Sequence, residues 1–223
     1  MRLAVAVVAG LAFSVVTPAI TEAQVCMGSA SFGAGIARIG ASASFSDGTK
    51  LYGGELALGA PRGLFGTADA AQTTTEGESA TSTVIGGTLG YSLEVGSITD
   101  FCAIAAFSHI TFPDLQFGSA TITSSQNNVG FGGALGVSAV VSPDLSVVPY
   151  TSVQYVHATA TASSASVGSQ SASQDYGVLE IGFGLVMGKI VSLRPSVSIP
   201  VGLTGGKTAV NIGLAVNFGH VER

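Results

Sequence analysis

The stretch Ser82–Val95, STVIGGTLGYSLEV, decides the fold. Its odd positions are Thr83, Ile85, Gly87, Leu89, Tyr91, Leu93 and Val95; its even positions are Ser82, Val84, Gly86, Thr88, Gly90, Ser92 and Glu94. Large apolar side chains recur at every second residue, which sets them on one face of a strand. The same period runs outward along the chain. Val210, Ile212, Leu214, Val216 and Phe218 share a face against Asn211, Gly213, Ala215 and Asn217, and Leu179, Ile181, Phe183, Leu185 and Met187 stand against Glu180, Gly182 and Gly184. Val129, Phe131 and Leu135 oppose Gly130, Gly132 and Gly136, while Ile39, Ala41, Ala43 and Phe45 oppose Arg38, Gly40, Ser42 and Ser44. Phe101–Phe112 is apolar on both faces and gives no phase, and Pro149 marks an edge or bulge within 145–159. The pattern predicts about ten strands, with eight or twelve as the alternatives.

Composition says what the apolar faces meet. Hydrophobic residues make up 47% of the 223, but charged ones only 9%, against roughly 25% in ordinary soluble domains. A charged shell is missing, and no second apolar run is long enough for a membrane helix. The net charge of −5 argues against nucleic acid, whose phosphates call for clustered Lys and Arg. Tight connections at 59–63, 96–100, 142–144 and 188–189 alternate with polar stretches at 72–81, 113–127 and 161–174. A soluble sandwich has no such asymmetry. A transmembrane barrel has it, with turns at one rim and long, mobile loops at the other. In lipid every backbone group must be paired, and closure removes the sheet edges. The expected fold is an all-β, antiparallel up-and-down transmembrane barrel over 35–218, with both termini at the turn rim.

Ahead of it, Met1-Arg2, the apolar run Leu3–Val16 and small residues at Thr21 and Ala23 form the pattern of a cleavable signal peptide, 1–23. Residues 24–34 are then an N-terminal periplasmic segment and 219–223 a short tail. Export places Cys26 and Cys102 in an oxidising compartment. Cys26 precedes the first strand and Cys102 follows the turn 96–100, so both belong to the turn rim. The expectation is a disulfide tying the N-terminal segment under or into the barrel.

The chain resembles the small bacterial outer-membrane β-barrel proteins of eight to ten strands. The signal peptide, the dyad repeat, the alternating connections and the final strand Val210–Phe218 carry the resemblance over about residues 30–218. It implies location in the cell outer membrane and outer-membrane lipid as the surroundings. It also implies recognition of the last strand, through its aromatic Phe218, by the barrel assembly machinery. Five residues follow Phe218 here, and Trp is absent, so an aromatic girdle would use Tyr and Phe. The oligomeric state is not legible.

By parity Arg38, Glu55 and Asp69 point inward. Turn lengths set Arg38 opposite Ala57, one diagonal step from Glu55, and Glu55 diagonal to Asp69, so an internal charge cluster is expected. Glu180 and Arg194 lie on adjacent strands with a larger offset. A plug of paired charges is favoured over a charged constriction, since a small barrel is filled by its own side chains. Catalysis has little support. Ser108 adjoins His109, but neighbours in a strand face opposite ways; His157 shares the outward parity of His109. No HExxH or paired cysteines mark a metal site, and Glu76 and Glu78 read as solvated surface. No cofactor is expected. The reading is a structural or narrow passive-channel barrel, with no catalytic role. The alternatives are surface adhesion through 113–127 and 161–174, and, behind it, a barrel-type lipid-modifying enzyme or protease.

Overall fold

The computed structural model describes residues 25–29, 37–59, 63–77, 80–95, 98–118, 120–165, 168–188 and 190–218. The expected signal peptide, the rest of the segment 24–34 and the tail 219–223 lie outside the described residues.

Twelve strands make one antiparallel sheet. In chain order they are β1 (Ala37–Ser46), β2 (Thr49–Gly59), β3 (Leu64–Thr75), β4 (Thr81–Glu94), β5 (Thr99–Thr111), β6 (Leu115–Phe117), β7 (Ala120–Val137), β8 (Ala139–Ser142), β9 (Leu145–Ser164), β10 (Gly168–Met187), β11 (Val191–Val201) and β12 (Ala209–Phe218). The sheet closes on itself: Ala37 of β1 faces Phe218 of β12, and β7 pairs with both β5 and β9. β6 prolongs β5 past a break at Pro113, where 112–114 oppose only 123–124 of β7. A proline has no N–H for the ladder, so a bulge there is the expected adjustment. β8 likewise prolongs β7 past Ser138, in the same register against β9. The barrel therefore has ten staves.

Alternation sets the two surfaces. Leu56, Leu64, Leu89 and Phe131 point outward and are 60–65% exposed. Ile39, Tyr52, Ile85, Tyr91, Val153, Ile181, Ile212 and Leu214 continue this apolar exterior around the wall. Phe101–Phe112 resolves with Phe101 and Phe107 outward and Cys102, Ile104, Ser108 and Ile110 buried inside. It is apolar on both faces because Ile104 and Ile110 belong to two apolar seals within the lumen.

The connections differ from the expectation. The stretches 113–127 and 161–174 are mostly strand, not long loops, and 72–81 is strand at 72–75 and 81. β9 and β10 stay paired from Leu145 and Met187 up to Ser164 and Gly168, and β7 accompanies β9 as far as Ile122 opposite Ser164. Hydroxyl pairs lace the top of this hairpin: Thr159 to Ser173 at 3.0 Å, Thr161 to Ser171 at 2.9 Å and Ser163 to Ser169 at 3.1 Å. Facing outward with alanines behind them, these residues keep the strand period without any hydrophobic contrast to reveal it. On the same rim β1 and β2 join through Asp47-Gly48 alone, with Gly48 at φ 74°, the backbone setting that a two-residue hairpin turn demands.

Candidate functional site

The lumen is filled in three tiers. At the turn rim, residues 25–27 form a single 3₁₀ turn inside the barrel. Cys26 is bonded to Cys102, with Cα atoms 6.0 Å apart. Cys26 and Met27 are fully buried and pack with Ala57, Phe65, Ile104 and Ala134. Gly28, at φ 77°, lies against the Tyr150 ring and the backbone of Gly184, where no side chain would fit. At the opposite rim Leu51, Val84 and Ile110, with Phe112, form a second apolar seal. Beside it Leu203 dips from 202–208 onto Val156, Tyr176 and Val178.

The middle tier is charged and polar. Arg38 lies opposite Ala57 and its Nε is 3.6 Å from Glu55 Oε1. Arg194 reaches the same oxygen at 3.1 Å through Nη2, and its Nη1 donates to Ser29 Oγ at 2.9 Å. Glycines make this possible. Glu55 lies across Gly40 of β1, where a Cβ would be 2.5 Å from Oε1, and Arg194 lies across Gly213 of β12, where a Cβ would be 3.0 Å from Nη2. The two long side chains thus meet over the closing seam, each flat against a strand that offers no obstacle.

One placement differs from the sequence reading. Glu55 and Asp69 are directly opposed in register rather than diagonal, because Leu58 pairs with Gly66 and Gly59 with Phe65, a shifted register for the hairpin. Glu180 faces Ser198, four positions from Arg194, and is held by Tyr150 at 3.1 Å and Ser196 at 2.6 Å instead. The Arg194–Glu55 contact was not legible, since it depends on the register across β12 and β1, elements at opposite ends of the chain. Asn211, donating to Ser196 and Ser198, and the chain from Gln126 to Asn128 to Ser108 also escaped notice. Inward parity is their one signal in the sequence, and Gln126 lies within the polar stretch 113–127, whose composition reads as a loop.

The outer surface carries a second cluster. His157 Nδ1 is 2.7 Å from Asp175 Oδ1, and its Nε2 is 3.4 Å from Thr159 Oγ1. His109 Nδ1 is 2.7 Å from Asn127 Oδ1. Phe131 and Tyr155 pack just below, their rings tilted by 42° with centroids 5.1 Å apart. Ser108 and His109 face opposite sides of β5. Among the described residues no group of three or more His, Cys, Asp or Glu is placed to hold a metal ion. Phe218 ends β12, exposed on the outer face.

No family model and no curated protein matches the chain. Several solved structures share its general shape. The translocator domain of autotransporter NalP from Neisseria meningitidis is 13% identical, over 97% of each chain, with a TM-score of 0.47. The N-terminal β-barrel domain of Pseudomonas aeruginosa OprF is 10% identical, over 83% of this chain and 98% of that one, with a TM-score of 0.40. Ail, the attachment invasion locus protein of Yersinia pestis, is 12% identical, over 82% and 94%, with a TM-score of 0.41. At these scores the likenesses carry nothing about activity, and the reading rests on the barrel's own surfaces.

Proposed function

We propose that the chain is an integral outer-membrane β-barrel with a closed lumen, structural in role and working without catalysis. The apolar exterior supports the membrane setting: a ring of Leu, Ile, Val and Phe around a closed sheet has acyl chains as its natural cover. The observation that carries the closed lumen is its content. Cys26, Met27 and Ser29 are 0% exposed inside the barrel, tied to the wall at Cys102 and Arg194. Charge pairs and two apolar seals occupy much of the remaining cross-section. In this reading outer-membrane lipid is the partner, and β12, ending in Phe218, is the strand the assembly machinery takes up. Purified protein should shift on gels between unheated and heated samples and leave planar bilayers silent. Stepwise conductance from the oxidised protein would overturn the closed lumen in favour of a narrow channel.

A second reading has one specific observation behind it, the Asp175–His157–Thr159 relay on the lipid-facing side. A carboxylate orienting an imidazole beside a hydroxyl is the arrangement of nucleophilic acyl transfer, and acyl esters of the outer leaflet would be its substrate. Fatty-acid release from mixed micelles by the wild type, lost in His157→Ala and in Thr159→Ala, would establish it. No release by the wild type would dismiss it.

A further inference from the structure

Opposite the charged seam the lumen holds a cavity of about 20 Å3, room for one water-sized particle. Asp69 reaches it from β3 and Gln154 from β9. Asp69 lies across Gly86 of β4, where a Cβ would be 2.9 Å from Oδ2. Gln154 lies across Gly132 and Gly130 of β7, where a Cβ would be 2.9 Å from its Cγ and 3.5 Å from its Oε1. The two side chains therefore lean toward each other from opposite sides, over the small residues Ala106 and Ser108 of β5. Thr88 and Asn128 complete the lining.

We infer that this cavity binds a small hard monovalent cation, sodium, through the Asp69 carboxylate, the Gln154 amide oxygen and the Ser108 and Thr88 hydroxyls. Three observations converge. Gln154 is 2% exposed and its Oε1 has no hydrogen-bond partner among the described residues, and a bound ion or water is what commonly satisfies such a buried acceptor. Away from the rims, the described lumen holds three carboxylates, Glu55, Asp69 and Glu180, against two guanidiniums, Arg38 and Arg194. Glu55 takes both arginines and Glu180 two hydroxyls, and of the three Asp69 is the carboxylate that lines the cavity, where a counterion would offset its charge. The donor set, finally, is all oxygen with a single negative charge. Hard cations choose oxygen, and one carboxylate with neutral donors matches a monovalent ion better than a divalent one. The inference stands on the barrel alone and does not need the lumen to be closed, so bilayer conductance and sodium binding fail separately.

The test uses the full chain folded in non-ionic detergent at mildly alkaline pH. Thermal unfolding, read by heat-modifiability on gels, is compared in equal concentrations of sodium chloride and choline chloride. The wild type should unfold several degrees higher in sodium. Asp69→Asn should abolish the difference and Gln154→Leu should at least halve it. Broadening of the sodium-23 NMR line by the wild type, absent with Asp69→Asn, reads binding without reference to stability. Equal midpoints with no broadening for the wild type would overturn the proposal, as would a sodium effect that survives Asp69→Asn. If Asp69→Asn does not fold, the wild-type line and Gln154→Leu decide.

Discussion

The wall around the seam and the wall opposite it are built to different lengths. β11, β12, β1, β2 and β3 have 11, 10, 10, 11 and 12 residues, close to the ~9–11 that a tilted strand needs to cross the hydrocarbon. β7, β9 and β10 have 18, 20 and 20, an excess worth roughly 25–30 Å at ~3.3 Å per residue. The short wall carries the arginines and Glu55, and its Arg194 donates to Ser29 beside the plug turn, which is itself bonded to β5 and packed on Tyr150 of β9 and Gly184 of β10. The tall wall carries Glu180 and the amides Gln126, Asn128 and Gln154 inside and, above His157 and Asp175, a face of Ser and Thr outside. The paired charges are concentrated where length is minimal, while the apolar seals draw on both walls; the surplus rises beyond the apolar belt and contributes exposed hydroxyls. Energetically, then, the short wall should be intolerant of change and the tall extension indifferent to it.

The largest effect belongs to Glu55. Replacing it by Gln removes the carboxylate that Arg38 and Arg194 share, and stripping one partner from a buried charge cluster costs about 3–5 kcal/mol. Urea unfolding in detergent should show that loss. A change below about 1 kcal/mol, the size of a surface pair, would mean the cluster is not the hub of the short wall. The disulfide comes next. Its cysteines are 76 residues apart, and a bridge of that span contributes about 2–4 kcal/mol. The Cys26→Ser/Cys102→Ser double variant should unfold at correspondingly lower denaturant, and its plug turn should exchange amide hydrogens faster than the oxidised protein. Unchanged exchange would show that Arg194 and Ser29 hold the turn unaided.

The tall extension is the converse case. Shortening the hairpin so that a tight turn links Thr159 to Ser173 deletes paired backbone and hydroxyl contacts but no part of the lumen seals. Heat-modifiability should be retained, with stability changed by about 0.5 kcal/mol or less. Failure to fold would refute the division of labour between the walls. The same extension shows how far the sequence could be read. Strand period and inward parity were legible wherever large and small side chains alternate, as in Ile85, Leu89 and Tyr91 against Gly86, Thr88 and Gly90. In 158–163, Ala alternates with Thr and Ser, a contrast too weak to mark two faces, so a continuous strand there has the composition of a loop. The lumen was legible to the extent that neighbouring hairpins fix register: Arg38 against Ala57 follows from the Asp47-Gly48 turn. Arg194 against Glu55 does not, because closure of the barrel is a long-range event that no local spacing encodes. Nor could the sequence tell that several glycines are cradles for a neighbour's side chain, Gly90 under Phe65 among them, rather than hinges.

The smallest effect lies where the two ends of the seam meet at the outer rim. Lys207, in the connection from β11 to β12, donates to Asp47 in the turn from β1 to β2. That hydrogen bond, and then the lysine's charge, hold the Asp47 carboxyl below its ordinary range. A carboxyl lowered in the folded state adds stability above the unfolded-state value and loses it as pH falls through the folded one. The contribution therefore fades only in acid and is constant through neutral pH. Both groups are more than half exposed, so solvent and salt screen the pair. Lys207→Ala should leave the unfolding midpoint at neutral pH within error while the Asp47 carbonyl resonance, followed by NMR, titrates at higher pH than in the wild type. If the midpoint falls as far as with Glu55→Gln, the seam is pinned from its rim rather than from its interior, and the charged lumen is not what joins β1 to β12.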